Sequence, residues 1–196
     1  MALDPSPISV KIPPLLKGRV ILIRAGSYFF TGLTDYGEVI CWGENNYGQI
    51  SLSPEVSKEL LEPHIVNMQH FDGRVTDVQT GWTHVLALTD KRTVYSWGRA
   101  NYGQLGRKFD LQFDPTPQRI IELDDVTCIR CGSEHNLALK GVNHILVTWG
   151  WNEHGLCGNN NEDNVLVPHQ VETLSDHVIK LIGCGAGHSF ALTEKT

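Results

Sequence analysis

The chain has 196 residues, a formal charge of −6, 41% hydrophobic and 19% charged content. That balance suits a globular chain and lacks the clustered Lys and Arg of a nucleic-acid surface. No apolar run approaches the length of a membrane-spanning helix, and Met1-Ala2-Leu3-Asp4-Pro5-Ser6-Pro7 has neither the basic nor the apolar region of a signal peptide.

Five cysteines and no Asn-x-Ser/Thr site point to a reducing compartment, cytoplasmic or nuclear. The chain opens on a Pro block, Pro7-x-x-Val10, which returns as Pro63-x-x-Val66, Pro117-x-x-Ile120 and Pro168-x-x-Val171. Proline is tolerated in a sheet at an outer edge, so each block predicts an outer strand.

A second block follows. Gly26-Ser27-Tyr28-Phe29 is its first form, with Phe29 where later copies carry His. Those copies are Gly81-Trp82-Thr83-His84, Gly132-Ser133-Glu134-His135 and Gly185-Ala186-Gly187-His188. Sixteen or seventeen residues after each of the first three glycines comes a third block. It begins Trp42-Gly43-Glu44-Asn45-Asn46-Tyr47-Gly48, then Trp97-Gly98-Arg99-Ala100-Asn101-Tyr102-Gly103, then Trp149-Gly150-Trp151-Asn152-Glu153-His154-Gly155. The Trp positions are 55 and 52 residues apart, a period that signals one unit copied in tandem.

Within a unit, short β-branched and aromatic runs sit between Gly, Asn, Asp and Pro clusters, the pattern of strands. Thr34-Asp35-Tyr36-Gly37 predicts a tight turn between the second and third. Each unit is therefore expected to be a four-stranded antiparallel sheet, and the chain an all-β array of β-propeller blades. The boundaries are 1–19 for the outer strand of a preceding incomplete blade, then repeats at 20–66, 67–120 and 121–171. Residues 172–196 form a partial fourth repeat that lacks its Trp-Gly strand. Ser53-Pro54-Glu55-Val56-Ser57-Lys58-Glu59-Leu60-Leu61 predicts one or two helical turns on the surface, from its Ser cap and early Pro.

Candidate chemistry is sparse. His84, His135 and His188 invite a metal-site reading, but equivalent slots in successive blades are spread around the ring. They are expected to be structural, like Gly26, Gly81, Gly132, Gly185, Trp42, Trp97 and Trp149. Cys128-Ile129-Arg130-Cys131 has C-x-x-C form, yet residues three apart on a strand face opposite ways. Gly183-Cys184-Gly185-Ala186-Gly187 precedes a strand rather than a helix, so a dinucleotide loop is not expected. No cofactor, metal or catalytic set is expected. Loops on a rigid scaffold are the better place for binding. Trp82, Arg99, Asn101, Tyr102, Asn152, Glu153 and His154 are the candidate partner-binding residues, weighted toward the aromatic and Arg anchors.

These phrases resemble the regulator-of-chromosome-condensation repeat family over roughly residues 20–193. The resemblance is nearest to the C-terminal half of a secretion-linked guanine-nucleotide exchange factor. It implies a seven-bladed propeller that is non-enzymatic and binds a small GTPase, favouring its nucleotide-free state. At about 50 residues per blade, seven blades need some 350 residues, so this chain holds about three and a half. The Trp149–Gly155 phrase also resembles the alpha-tubulin-suppressor relatives, which implies an alternative: a scaffold for a small zinc-binding electron carrier in tRNA and elongation-factor modification. Open blade edges are expected to favour self-association or pairing with another chain.

Overall fold

The computed structural model describes residues 9–108 and 110–195, whose regular structure is almost entirely short strands in antiparallel sheets. The first sheet is β1 (Val20–Ala25), β2 (Phe29–Thr34), β3 (Val39–Glu44) and β4 (Glu59–Ile65), in that spatial order. The second is β5 (Val75–Thr80), β6 (His84–Thr89), β7 (Val94–Arg99) and β8 (Phe113–Arg119). The third is β9 (Val126–Cys131), β10 (His135–Lys140), β11 (Ile145–Gly150) and β12 (Val165–Gln170). The fourth has two strands, β13 (His177–Cys184) and β14 (Ser189–Lys195). Three blades and half of a fourth are thus present, and the three full ones are the meanders that the repeat period predicts.

Period-two alternation explains the stacking. On β6, Val85 and Ala87 point into the core shared with the first sheet, beside Phe29, Leu33, Val39 and Trp97. Leu86 and Leu88 point the other way, into the core shared with the third sheet and Trp149. A middle strand buried on both faces needs a continuous apolar run, which is what His84-Val85-Leu86-Ala87-Leu88 supplies. A third core joins Leu137, Leu139 and Leu146 to Ile179 and Ile182 of the fourth sheet. The prolines Pro63, Pro115, Pro117 and Pro168 all fall on the outer strands β4, β8 and β12.

The tight turn after β2 forms, with the Gly37 amide donating to the Thr34 carbonyl at 2.9 Å. The helical reading of Ser53–Leu61 needs correction. Only one turn forms, where the Val56 amide donates to the Ser53 carbonyl at 2.9 Å. Glu59 and Leu60 instead pair with Glu44 and Gly43 as the start of β4, because the edge of β3 offers ladder bonds to any extended segment beside it. Pro7 and its expected outer strand lie outside the described residues. Residues 9–18 carry no ladder.

Candidate functional site

The Trp-Gly glycines set the loops. Gly43, Gly98 and Gly150 have φ between 102° and 109°, and a methyl on Gly98 would stand 2.5 Å from the Thr83 carbonyl oxygen. That kink lets the next residue reach back to its own blade: the Arg99 amide donates to the Thr83 carbonyl at 2.9 Å. The loops after the third strand and the loops after the first strand therefore meet on one face.

Arg99 is held at a junction of three blades. Its guanidinium carbon lies 4.8 Å from the Tyr47 ring centre and 4.9 Å from that of Tyr102, so aromatic faces of the first and second blades both flank it. Its Nε donates to Asn101 Oδ1 at 3.1 Å. Its Nη1 lies 3.3 Å from Glu134 Oε1 of the third blade. The other Glu134 oxygen accepts from Gln104 Nε2 at 2.5 Å. Burial pushes the Glu134 carboxyl up from its ordinary range, while Gln104 and Arg99 pull it back down. A planar guanidinium between two rings and a buried carboxylate is a rigid anchor, which a lysine could not reproduce.

Trp82 lies on the loop between β5 and β6 and is 56% exposed. Its backbone is tied on both sides. The Ser27 amide donates to the Trp82 carbonyl, the Trp82 amide to the Ser133 carbonyl, and the Ser133 amide to the Ala186 carbonyl, at 3.0, 2.8 and 3.1 Å. This chain of bonds joins the four Gly-block loops around a depression of about 360 Å³. An exposed indole on a fixed backbone is a feature of binding surfaces.

The third loop behaves differently. Asn152 is fully buried: its amide donates to Asn159 Oδ1, the Asn161 carbonyl and the Asp163 carbonyl, each at 2.9 Å, and its Oδ1 accepts from the Cys157 amide. It braces the loop and leaves nothing to offer a partner, as Asn45 does in the first loop. Glu153 and His154 are exposed at the loop tip and lie 4.0 Å from each other. Among the described residues neither reaches Arg99. Trp42 stacks on Phe30, with ring centres 5.2 Å apart. Trp97 and Trp149 are fully buried, each donating its indole N–H to the loop of the preceding blade, at Gln49 O and Gln104 O.

The repeat histidines are not equivalent in surroundings. His84 and His135 are fully buried and His188 is exposed. The two buried rings sit over their repeat glycines: a methyl on Gly81 or Gly132 would stand 2.0 or 2.1 Å from the ring. Cys128 packs against the core between blades three and four, and Cys131 against the one between two and three, so the C-x-x-C thiols diverge. Burial pushes the Cys157 and Cys184 thiols up to about 12 and Cys131 well above its ordinary value. Such thiols are protonated at neutral pH and poor nucleophiles.

Tyr47, which the sequence places in the first Trp-Gly loop, completes the cluster together with Gln104 and Glu134, which the sequence alone does not single out. The usable signal is positional. Tyr47 and Tyr102 share one repeat slot, while the slots of Arg99 (Glu44 and Trp151 elsewhere) and Glu134 (Tyr28, Thr83 and Gly187 elsewhere) differ in every repeat.

Antiparallel four-stranded sheets stacked face to face, with the Gly-block and Trp-Gly loops gathered on one face, define a segment of a β-propeller. The model of the Regulator of chromosome condensation (RCC1) repeat matches residues 36–88, 93–139 and 146–192, and the chain belongs to that family. It is 40% identical to the mouse (Mus musculus) secretion-regulating guanine nucleotide exchange factor, over 94% of this chain and 43% of that protein. It is 32% identical to the ultraviolet-B receptor UVR8 of Arabidopsis thaliana, over 90% of this chain and 39% of the receptor. Among solved structures, Prp20p of Saccharomyces cerevisiae, described with its binding to Gsp1p and histones, superposes with a TM-score of 0.80 at 25% identity, over 90% of this chain and 44% of that one. The chain thus spans less than half the length of these relatives.

Proposed function

We propose that this chain is a non-enzymatic, protein-binding propeller segment that acts as an exchange-factor-like regulator of a small GTPase linked to secretion, in the cytoplasm or nucleus. The observation that carries the reading is the Arg99 junction. Tyr47, Arg99, Tyr102 and Glu134 come from three blades and meet on the loop face, and Trp82 is exposed on those same loops. Family membership and the likeness to a secretion-regulating exchange factor support a small GTPase as the partner class. Exchange of this kind needs no acid, base or nucleophile. A protein that binds the nucleotide-free GTPase more tightly than the loaded one lowers nucleotide affinity by the same factor, through linkage.

The test is a binding comparison over a panel of small GTPases, each nucleotide-free and GDP-loaded, with the mouse relative as positive control. The expected result is at least a tenfold preference for one nucleotide-free GTPase, weakened by Arg99→Ala. Equal or absent binding across a panel on which the control succeeds overturns the reading. The zinc-carrier alternative rested on the Trp149–Gly155 phrase. Trp149 is a core residue, Gly150 a backbone kink and Asn152 a loop brace, so those three residues of the phrase serve folding.

A further inference from the structure

The turns between second and third strands lie at the opposite end of each sheet from the loop face. Tyr36 stands at the tip of the turn between β2 and β3 and is 66% exposed. Its ring lies along Gly18, where a methyl would stand 2.5 Å from Tyr36 Cδ2. Lys17 and Arg19 flank that glycine, so both leave the chain beside the ring. On the other side, a methyl on Gly37 would stand 2.3 Å from Arg74 Cγ. A third cation, from the segment entering β5, is thus packed on the neighbour of Tyr36.

These charges are poorly compensated. Asp35 and Glu38 are the acids of the turn, and each accepts from a backbone amide, that of Arg19 at 2.9 Å and that of Lys17. Arg19 Nε lies 3.5 Å from Asp35 Oδ2, with the Arg19 side chain 88% exposed, a geometry that contributes little in water. Arg74 donates to the Asp35 carbonyl at 3.0 Å, an uncharged acceptor. No ion pair among the described residues includes Lys17 or Arg74.

The second blade builds the same turn with the charges exchanged. Val20 pairs with Thr34 as Val75 pairs with Thr89, which aligns the two turns. Gly73 takes the place of Gly18, with a methyl 3.2 Å from Lys91 Cγ, and the Arg74 amide donates to Asp90 as the Arg19 amide does to Asp35. The tip is Lys91, Asp72 stands in the slot of Lys17, and Asp125 stands in the slot of Arg74, where it pairs with Arg92. Lys91 is exposed as Tyr36 is, so openness belongs to the tip in both blades. In the second blade the tip carries a cation and acids surround it. In the first, cations surround a tip that carries only a hydroxyl.

We propose that Tyr36 is a phosphorylation site for a protein tyrosine kinase, and that Lys17, Arg19 and Arg74 receive its phosphate. In the step, Tyr36 Oη bonds the γ-phosphorus of ATP and the bond from that phosphorus to the β,γ-bridging oxygen breaks. ADP leaves, and the phenolic proton passes to a base of the kinase. A phosphate of charge about −1.5 to −2 beside an Arg cluster makes roughly one to three charge-assisted hydrogen bonds. Arg19 leads into β1 and Arg74 into β5, so this phosphate ties the first blade to the second on the face away from the binding loops.

The test incubates the whole chain with ATP and a panel of receptor and non-receptor tyrosine kinase domains, each shown to be active on a peptide substrate. Mass spectrometry maps the sites. Tyr36 is expected to be the main acceptor among the five tyrosines, and Tyr36→Phe to remove that incorporation. The phosphorylated chain is expected to melt about 2–4 °C higher in low salt. The rise is expected to vanish in about 1 M salt, where charges are screened within about 3 Å. Phosphotyrosine placed at position 36 by genetic encoding should give the same rise without a kinase, and Arg74→Gln in that chain should at least halve it. Phosphotyrosine at position 28, which is also exposed, should give none. No incorporation at Tyr36 by any active kinase overturns the proposal, as does incorporation confined to Tyr28. A phosphate at Tyr36 that leaves the melting temperature unmoved, or moves it equally in high salt, also overturns it.

Discussion

Nε2 of His84 lies 2.8 Å from Oδ1 of Asn136, a buried bond across the seam between the second and third blades. The oxygen can only accept, so His84 carries its proton on Nε2. Asn136 passes the connection on, its amide donating to the Gln104 carbonyl at 2.9 Å. The same two slots at the preceding seam hold Phe29 and Val85, both within one apolar core. At the following seam they hold His135 and Ser189. There the shorter Ser side chain turns to Leu156 and does not meet His135, whose ring faces the backbone of His188 instead. The pair is polar–polar, apolar–apolar or mismatched as a unit.

That coupling predicts a double-mutant cycle. Asn136→Val strands the buried His84 ring and costs about 2 kcal/mol in urea unfolding. His84→Phe alone leaves the Asn136 oxygen without its donor and costs a similar amount. The double variant, copying Phe29 and Val85, recovers most of the loss. A coupling energy of roughly 1–3 kcal/mol is expected, and additive losses would show that the seam is not a pairwise device.

Acid should loosen the seams through the same histidines. Burial lowers His84 and His135 to about 4, against about 6.5 in an unfolded chain. Above pH 6.5 both states are neutral and the histidines confer no pH dependence. Between pH 6.5 and 4 the unfolded chain binds protons that the folded one refuses, so stability falls as pH falls, by roughly 2–4 kcal/mol per histidine. Below pH 4 the effect is complete. Carboxylates titrate in part of this window, so the measurement is the difference in unfolding free energy between the wild-type chain and His135→Phe at pH 7 and pH 5. The variant should have the shallower slope.

Much of the architecture was legible because it repeats. Three Trp-Gly phrases against four Gly blocks matched three full sheets and a two-stranded fourth, since each phrase encodes one kinked third strand. The Ser53–Leu61 helix was misread because Ser-Pro-Glu is a sound local start signal, while the edge of β3 decided the conformation of Glu59 and Leu60. Asn152 looked available because Asn in a loop is usually exposed. Its burial follows from a long loop whose carbonyls converge on its amide. The Arg99 cluster was half legible: Arg99, Asn101 and Tyr102 are neighbours in sequence, but Tyr47 and Glu134 reach them only because the ring places adjacent blades side by side.

Anchoring and exposure separate two substitutions on the loop face. Trp82→Ala removes an exposed side chain whose backbone ties persist, so stability should move by no more than about 0.5 kcal/mol. Partner binding should weaken by about 2 kcal/mol or more if the indole is a contact. Arg99→Ala removes the ion-pair partner of a buried carboxylate and should cost roughly 1–3 kcal/mol of stability. Adding Glu134→Gln should return part of that cost, because it removes the stranded charge. Thermal melts with parallel binding assays distinguish these outcomes. A large melting shift from Trp82→Ala would mean the indole packs in the fold rather than on a partner.

The repeat glycines offer a test of whether one slot has one role. A methyl on Gly81 would stand 2.0 Å from His84 Cε1 and 2.8 Å from the Ser133 carbonyl oxygen. Neither can retreat, because His84 is bonded to Asn136 and the Ser133 carbonyl accepts from the Trp82 amide. Gly81→Ala should therefore break the seam at a cost of about 3 kcal/mol or more, in the range of severe overpacking. Gly185 fills the same slot in the fourth repeat, but a methyl there would stand 3.8 Å from the exposed His188. Gly185→Ala should be neutral or slightly stabilising, since it restricts the unfolded chain at no steric cost. Denaturant midpoints of the two variants decide the point. Equal losses would mean that the glycine is required by backbone conformation in every repeat rather than by the ring above it.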